Sequence, residues 1–185
     1  MQIRTGRILV ADPYLQDPYF SRSVVLLTSY EQGEQEDCMG FILNRPSNVF
    51  IHEVFQDFPE FEALIYLGGP VDTNMLFFIH TLGDQIPESK SIGNNLYFGG
   101  DFETLKQLIT DGKINSKDIR FFLGYSGWGI DQLDDEIISE SWIVGKLKRS
   151  YLFKVKTRLV WATALKDNKP SLGFYGKYAF TPSLN

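Results

Sequence analysis

Short apolar runs, bounded by glycine, proline and polar residues, recur along most of the chain. Runs of this length favour buried β-strands, because a helix needs a longer stretch with apolar residues spaced three and four apart. We therefore predict strands at 8–11, 20–28, 39–43, 64–67, 75–80, 96–98, 119–123 and 142–144. The polar and acidic residues 31–37 predict a loop or hairpin tip.

A few segments carry the spacing of amphipathic helices instead. In residues 102–110 the apolar side chains share one face, Asp101 is placed as an N-cap and Gly112 follows the last turn. A second helix is predicted to begin at Ile130, and a short one at 51–55. Residues 159–165 mix strand-favouring with helix-favouring side chains, and we predict a helix there.

The length of 185 residues indicates one domain spanning 1–185, with neither a repeat period nor a linker. Cys38 is the single cysteine, which fits a reducing cytoplasm. The first apolar run is too short for a signal peptide, and no run approaches the ~20 residues of a membrane-spanning helix. We therefore predict a cytoplasmic protein that has no contact with a membrane.

Charge divides the chain into two unequal parts. The net charge is -5; residues 1–141 hold 9 Lys+Arg against 22 Asp+Glu, a net of -13, and residues 142–185 hold 9 against one, a net of +8. One interpretation is that the basic part docks on the acidic body. The other is a basic face for an acidic partner or nucleic acid. The overall acidity argues against direct DNA binding, and no basic recognition helix is visible.

The stretch from Gly124 to Leu133 is the strongest site candidate. A predicted strand leads into its glycines, and helical spacing begins after them. We therefore predict a strand-to-helix turn that exposes aromatic side chains. Tyr125 and Trp128 lie in this turn, and Gln132 lies one helical turn later and points back toward it.

Two other strand ends also carry turn residues. Asn44 and Arg45 precede a proline, and Gly68-Gly69-Pro70 marks a sharp turn or a close backbone approach. We predict that the three segments converge around Trp128. The alternative is that the glycines serve packing and Trp128 belongs to the core. The candidate ligand or partner site comprises Asn44, Arg45, Gly68, Gly69, Pro70, Tyr125, Trp128 and Gln132.

Common catalytic signatures are weak in this chain. Ser126 lacks the last glycine of a nucleophile elbow, and neither histidine has a clear claim to act as its base. The carboxylates of the helix after Gly129 are explained by the helix dipole, and the adjacent Asp134 and Asp135 point apart. We predict no catalytic residue, no metal site and no cofactor.

An ordered set of motifs resembles the YqgE/AlgH family of uncharacterised bacterial proteins. The motifs lie at 20–25, 40–46, 68–71, 80, 124–129, 132–133, 136 and 142. The resemblance implies an α+β domain with a mixed, bifurcated and partly barrel-like sheet surrounded by helices. Some family members are described as transcriptional regulators. The chain departs from the usual pattern at Ser126, Asp131 and Ser29-Tyr30, which weakens any claim for a catalytic histidine near position 30.

Two functions from different classes follow. The first, which the residues favour, is a non-enzymatic binding or regulatory module for a protein or small-molecule partner. The second is an enzyme with a pocket lined by Asn44, Arg45, Tyr125 and Trp128. An enzyme would bring several polar groups with perturbed pKa values into one concave site, so the geometry of the cleft separates the two.

Overall fold

The protein was analysed as a computed structural model that describes residues 2–30 and 37–178. The predicted loop therefore lies, except for Asp37, outside the described residues. The strands are β1 (Arg7–Ala11), β2 (Val24–Tyr30), β3 (Asp37–Ile42), β4 (Pro46–Phe50), β5 (Leu64–Leu67), β6 (Val71–His80), β7 (Lys90–Gly93), β8 (Leu96–Phe98), β9 (Ile119–Gly129) and β10 (Trp142–Lys146). The helices are α1 (Ile51–Val54), α2 (Phe102–Thr110), α3 (Ile130–Ile138), α4 (Ser150–Phe153), α5 (Val160–Asn168) and α6 (Tyr175–Tyr178).

The described strands form one mixed sheet, in which β9 is shared by two branches. The main path runs β10-β1-β2-β3-β9-β6-β8-β7, and β4 and β5 branch from β9. The first half of β9 pairs in parallel with β5, its last residues pair antiparallel with β3, and β6 pairs antiparallel with it as well. The sheet curls into a half-barrel and is surrounded by helices, which confirms the predicted α+β class with a bifurcated sheet.

The predicted strand-to-helix turn at 124–129 is wrong, because β9 continues through these residues to Gly129. The glycines therefore lie inside a strand. Gly124 has φ +66°, a left-handed conformation that glycine adopts without strain, and it bends the strand where the parallel pairing with β5 ends. The antiparallel pairing with β3 begins two residues later, at Ser126. The glycine pattern that indicated a turn instead allows β9 to pair first with β5 and then with β3.

Several helix predictions are confirmed. The Asp101 carboxylate accepts a hydrogen bond from the Thr104 backbone N–H at 2.5 Å and so caps α2. The ambiguous residues 159–165 lie mainly in α5, as predicted, and α3 begins at Ile130. Within the part of the chain that the structure describes, no helix is long and apolar enough to cross a membrane.

The basic C-terminal part packs on the sheet through apolar side chains. Trp161 of α5 is buried, and its indole N–H donates to the Ala11 carbonyl of β1 at 2.8 Å. Lys148 forms an ion pair at 2.7 Å with Asp167, a carboxylate of the same basic part. The side chains of Lys146, Lys154 and Lys156 are exposed. Apolar contacts therefore hold the basic C-terminal part on the sheet. The Lys148–Asp167 ion pair joins two residues within that part and does not connect it to the acidic residues 1–141.

Arg120 of β9 joins the sheet to helix α4 from within the core. Its guanidinium donates to the backbone carbonyls of Leu43, at 2.7 Å, and Leu152, and lies 4.0 Å from the centre of the Tyr66 ring. Burial lowers the pKa of the Arg120 side chain from its ordinary value. The buried cation thus ties β9 to the end of β3 and to α4 through carbonyl oxygens and an aromatic face.

Candidate functional site

Two of the three predicted segments, Gly68-Gly69 and the glycine stretch that begins at Gly124, meet where β9 changes its partner strand. A Cβ atom on Gly124 would lie 2.7 Å from the carbonyl oxygen of Gly69, and one on Gly68 would overlap the carbonyl oxygen of Gly124. The Ser126 hydroxyl, which is fully buried, donates to the Gly68 carbonyl at 2.9 Å. These glycines therefore permit a backbone contact between neighbouring strands.

Asn44 and Arg45 contact the turn before β2. The Asn44 amide accepts from the Val24 N–H at 2.9 Å and donates to the Arg22 carbonyl at 2.9 Å, and Arg45 donates to the Pro18 carbonyl at 3.0 Å. The Arg45 carbonyl also accepts from the Leu67 N–H at 2.8 Å, which joins this segment to β5. Both side chains therefore stabilise the turn that leads into the first residue of β2.

Trp128 lies in the core with only 4% of its surface exposed. Its ring packs against Phe20 and Trp142, with ring centres 5.5 and 5.9 Å away. The indole N–H groups of Trp128 and Trp142 donate to the same Glu136 carboxylate oxygen, at 3.0 and 2.7 Å. The exposed Gln132 amide donates to the other oxygen of Glu136 at 2.9 Å. Glu136 thus clamps α3 onto β9 and β10.

A groove of about 400 Å³ lies beside the last residues of β9. Ser29, Met39 and Gly127 face one another across β2, β3 and β9, and the directly paired Val71 and Tyr125 form one wall. We call this the Tyr125 groove; Cys38, Trp128 and Gly129 complete its described lining. Of the residues predicted from the sequence, Tyr125 and Trp128 belong to it. Asn44, Arg45, Gly68, Gly69, Pro70 and Gln132 lie outside that lining.

Gly127 lets the Tyr125 ring lie close to the strand in the Tyr125 groove. A Cβ atom there would lie 3.1 Å from the Tyr125 ring, which is a tight contact, and 3.9 Å from Val71, so a larger residue would displace the ring and reshape the groove. The edge of the Tyr125 ring is supported by Phe77, whose ring centre is 5.8 Å away. The predicted site lacked the other six residues of the described lining, which are Ser29, Cys38, Met39, Val71, Gly127 and Gly129. Strand alternation through 124–129 would have placed Gly127 on the same face as Tyr125.

The reactive groups near the groove are poorly placed for catalysis. Burial raises the pKa of the Cys38 thiol to about 12, so the thiolate, which is the nucleophilic form, is scarce near neutral pH. Among the described residues, no three His, Cys, Asp or Glu side chains come together as a metal ion would require.

The buried His80 and the half-buried Ser89 form a pair away from the groove. His80 Nδ1 accepts from the Leu82 N–H at 3.2 Å, so the ring proton is on Nε2, which lies 3.0 Å from the Gly99 carbonyl and 3.0 Å from the Ser89 hydroxyl oxygen. In this tautomer Nε2 cannot accept the serine proton, and the hydroxyl donates to the Ile86 carbonyl at 2.7 Å. The pair therefore braces the connection from β6 to α2.

Comparison with solved structures shows the same architecture. The solution structure of the AlgH protein from Pseudomonas aeruginosa is 28% identical, with a TM-score of 0.68 over 88% of this chain and 87% of that one. A crystal structure of a protein from Corynebacterium diphtheriae has a TM-score of 0.75, covering 95% and 93% of the two chains. At 23% identity, this second likeness shows the fold alone.

Sequence comparison places the chain among bacterial relatives of similar length. A UPF0301 protein of Parabacteroides distasonis is 43% identical over 186 residues, which cover 97% of this chain and 90% of the relative. One from Chlorobium limicola is 35% identical over 185 residues, covering 100% and 97%. The model of the AlgH-like family (DUF179) matches residues 8–172. The chain therefore belongs to the AlgH-like family, as the sequence motifs predicted.

Proposed function

We propose that this chain is a binding module rather than an enzyme, and that the Tyr125 groove takes the apolar or aromatic portion of a small-molecule ligand. The observation that carries the proposal is the groove itself, in which the Tyr125 ring and Val71 lie against a strand that has no side chain at Gly127. A volume of about 400 Å³ lies within the range of roughly 300–1,000 Å³ that small-molecule sites occupy.

The walls of the groove support recognition by stacking and apolar contact. Met39 adapts its shape to a bound group, and the Tyr125 ring offers a flat face with one polar end. Ser29 adds a hydroxyl that is suited to orienting a ligand. The thiol of Cys38 is kept protonated by burial. Such a lining favours binding over bond-breaking chemistry.

The regulatory role that the family resemblance implies would run through this bound ligand or a protein partner, and not through direct contact with DNA. The net charge of -5 supports this, because an acidic chain is repelled by the phosphate backbone. Asp131, in the first turn of α3 directly after the groove, adds to that repulsion. A cytoplasmic location is part of the proposal and is supported by the single, buried thiol of Cys38.

The test uses ligand-observed NMR with indole, phenol and adenine as probes, together with the methyl resonance of Met39. We expect at least one probe to bind and to shift that resonance. Gly127→Val should weaken binding at least fivefold, because the new side chain displaces the Tyr125 ring that forms a wall of the groove. Thr110→Val is the control, since it introduces the same side chain at an exposed position of α2 outside the groove lining. Thermal melting of both variants checks that they are folded.

Two results would overturn the proposal. If none of the probes moves the Met39 resonance, the groove is not a binding site for this class of ligand. Equal weakening in Gly127→Val and Thr110→Val would show that the effect does not depend on the groove. Chemical conversion of a bound probe would contradict the non-enzymatic assignment directly.

A further inference from the structure

A second groove, at the far end of β1, is rich in cations. It has a volume of about 690 Å³ and is lined by Arg4, Arg7 and Lys146 together with Ser91, Asn94 and backbone atoms of neighbouring residues. Its described lining contains three positive side chains and no carboxylate. We call it the cationic groove. It shares no residue with the Tyr125 groove.

Two of these cations lie directly opposite each other in the sheet. Arg7 of β1 pairs with Lys146 of β10 in the antiparallel register, so both side chains lie on the same face. Like charges at such positions repel and destabilise a sheet. A negatively charged group bound between them would turn that repulsion into attraction. The pairing is therefore costly in the free protein and useful in an anion complex.

Arg7 also has a donor without an acceptor. Its Nε atom is buried and has no hydrogen-bond partner among the described residues. Buried donors are nearly always satisfied, so this orphan needs an explanation. Arg7 as a whole is only half-buried, so a shift of its side chain would turn the Nε–H toward a bound anion, whose oxygens would accept in the two-pronged geometry that guanidinium groups form with phosphate.

The other walls are rigid and present neutral hydrogen-bonding groups. Asn94 and Asn95 both have φ +54° in the turn between β7 and β8, and the Asn94 amide donates to the Leu147 carbonyl at 3.3 Å. A Cβ atom on Gly6 would overlap the Ile92 carbonyl oxygen, so the start of β1 is pressed against β7. The cationic groove is thus formed by closely packed backbone segments at the ends of β1 and β7.

The charge of the whole chain limits the size of the anion. Residues 1–141 carry a net charge of -13, which repels a long polyanion such as nucleic acid while leaving short-range contacts to a small one intact. The volume accommodates more than one phosphate group. We propose that the cationic groove binds a small molecule carrying phosphate groups between Arg7 and Lys146, with Arg4, Ser91 and Asn94 at its edges.

Isothermal titration of the full chain with pyrophosphate tests this proposal. We expect saturable binding that the double variant Arg7→Gln/Lys146→Gln weakens at least tenfold. The control is Lys154→Gln/Lys156→Gln, which removes the same charge from two exposed positions outside the groove and should change the affinity less than twofold. The single variant Lys146→Gln, at an exposed side chain, guards against misfolding and should weaken binding at least threefold.

Absence of pyrophosphate binding to the wild-type chain would overturn the proposal. So would equal weakening in the groove and control variants, because the effect would then be diffuse charge attraction. A single-stranded oligonucleotide that binds more tightly than pyrophosphate through Arg7 and Lys146 would also overturn it and assign the groove to a macromolecule. Failure here leaves the Tyr125 groove untouched, since the probes and variants differ.

Discussion

Removing the carboxylate of Glu136 should destabilise the protein severely, because one oxygen of that group accepts from two buried indoles. The bonds from Trp128 and Trp142 are 3.0 and 2.7 Å long, and both rings are only 4% exposed. Glu136→Ala leaves both N–H groups without an acceptor. An orphaned buried donor costs about 1–3 kcal/mol, so the two together cost about 2–6 kcal/mol. That is a large part of the ~5–15 kcal/mol by which a domain is stable.

Glu136→Gln is the informative comparison. The amide oxygen can take the place of the carboxylate oxygen that both indoles use, and its NH2 group then faces the exposed and rotatable Gln132. What is lost is the strengthening that the negative charge gives to two hydrogen bonds, about 1 kcal/mol. Gln132→Ala removes an exposed contact and should change stability by no more than ~0.5 kcal/mol.

Urea unfolding followed by far-UV circular dichroism measures these differences without relying on tryptophan emission, which the substitutions at Glu136 alter. We expect the order of stability wild type, Gln132→Ala, Glu136→Gln, Glu136→Ala. The reasoning about the clamp is refuted if Glu136→Ala loses less than ~1 kcal/mol, or if Glu136→Gln and Glu136→Ala lose the same amount.

Three further predictions concern stability. Burial lowers the pKa of His80 from its ordinary value of 6.5, so below about pH 6.5 the unfolded chain binds a proton that the folded chain does not. The free energy of unfolding should therefore fall as the pH drops below about 6.5. Measurement in a His52→Gln background isolates His80, and a free energy of unfolding that does not change with pH would contradict the prediction. Arg120→Lys should cost about 2 kcal/mol or more in urea unfolding, because a compact ammonium lacks the planar fork with which the guanidinium donates to two separate carbonyls while lying on the Tyr66 ring. Wild-type stability of this variant would refute the prediction. Gly124→Ala should cost more than ~2 kcal/mol in the same urea unfolding assay, because of its φ of +66° and the nearby backbone oxygen. Gly129→Ala, whose Cβ would meet no atom within 4 Å but which changes the N-cap of α3, should cost less than ~1 kcal/mol.

The hydrophobic pattern predicted most elements because each strand and helix buries a continuous local set of side chains. It failed at 124–129 for a physical reason. Glycine in a strand and glycine in a turn look alike in one sequence, and the difference lies in the partner strand. Here β9 pairs first with β5 and then with β3, and this pairing depends on the tertiary structure, which a local sequence pattern does not contain.

The candidate site was predicted in part. The convergence of the two glycine segments follows from the need for small residues where backbones touch, and the contact between Gly69 and Gly124 is of this kind. The roles of Asn44 and Trp128 depend on which atoms lie near them after folding. Asn44 binds backbone groups on both sides of the turn before β2, and the Trp128 indole finds an acceptor eight residues later on α3. Neither partner can be identified from spacing alone.

The glycines of β9 therefore fall into two kinds, and only one kind bears on function. Gly124 is required by the sheet, since its left-handed backbone and its contact with Gly69 let β9 change partners. Gly127 has neither constraint: the three atoms nearest a Cβ placed there are side-chain atoms of Tyr125 and Val71, the nearest at 3.1 Å. A side chain at Gly127 would therefore displace the Tyr125 ring in the groove wall, without meeting a backbone atom at such close range. Substitutions at Gly124 thus report on the fold and those at Gly127 on binding, which allows the two roles of the glycine stretch to be measured separately.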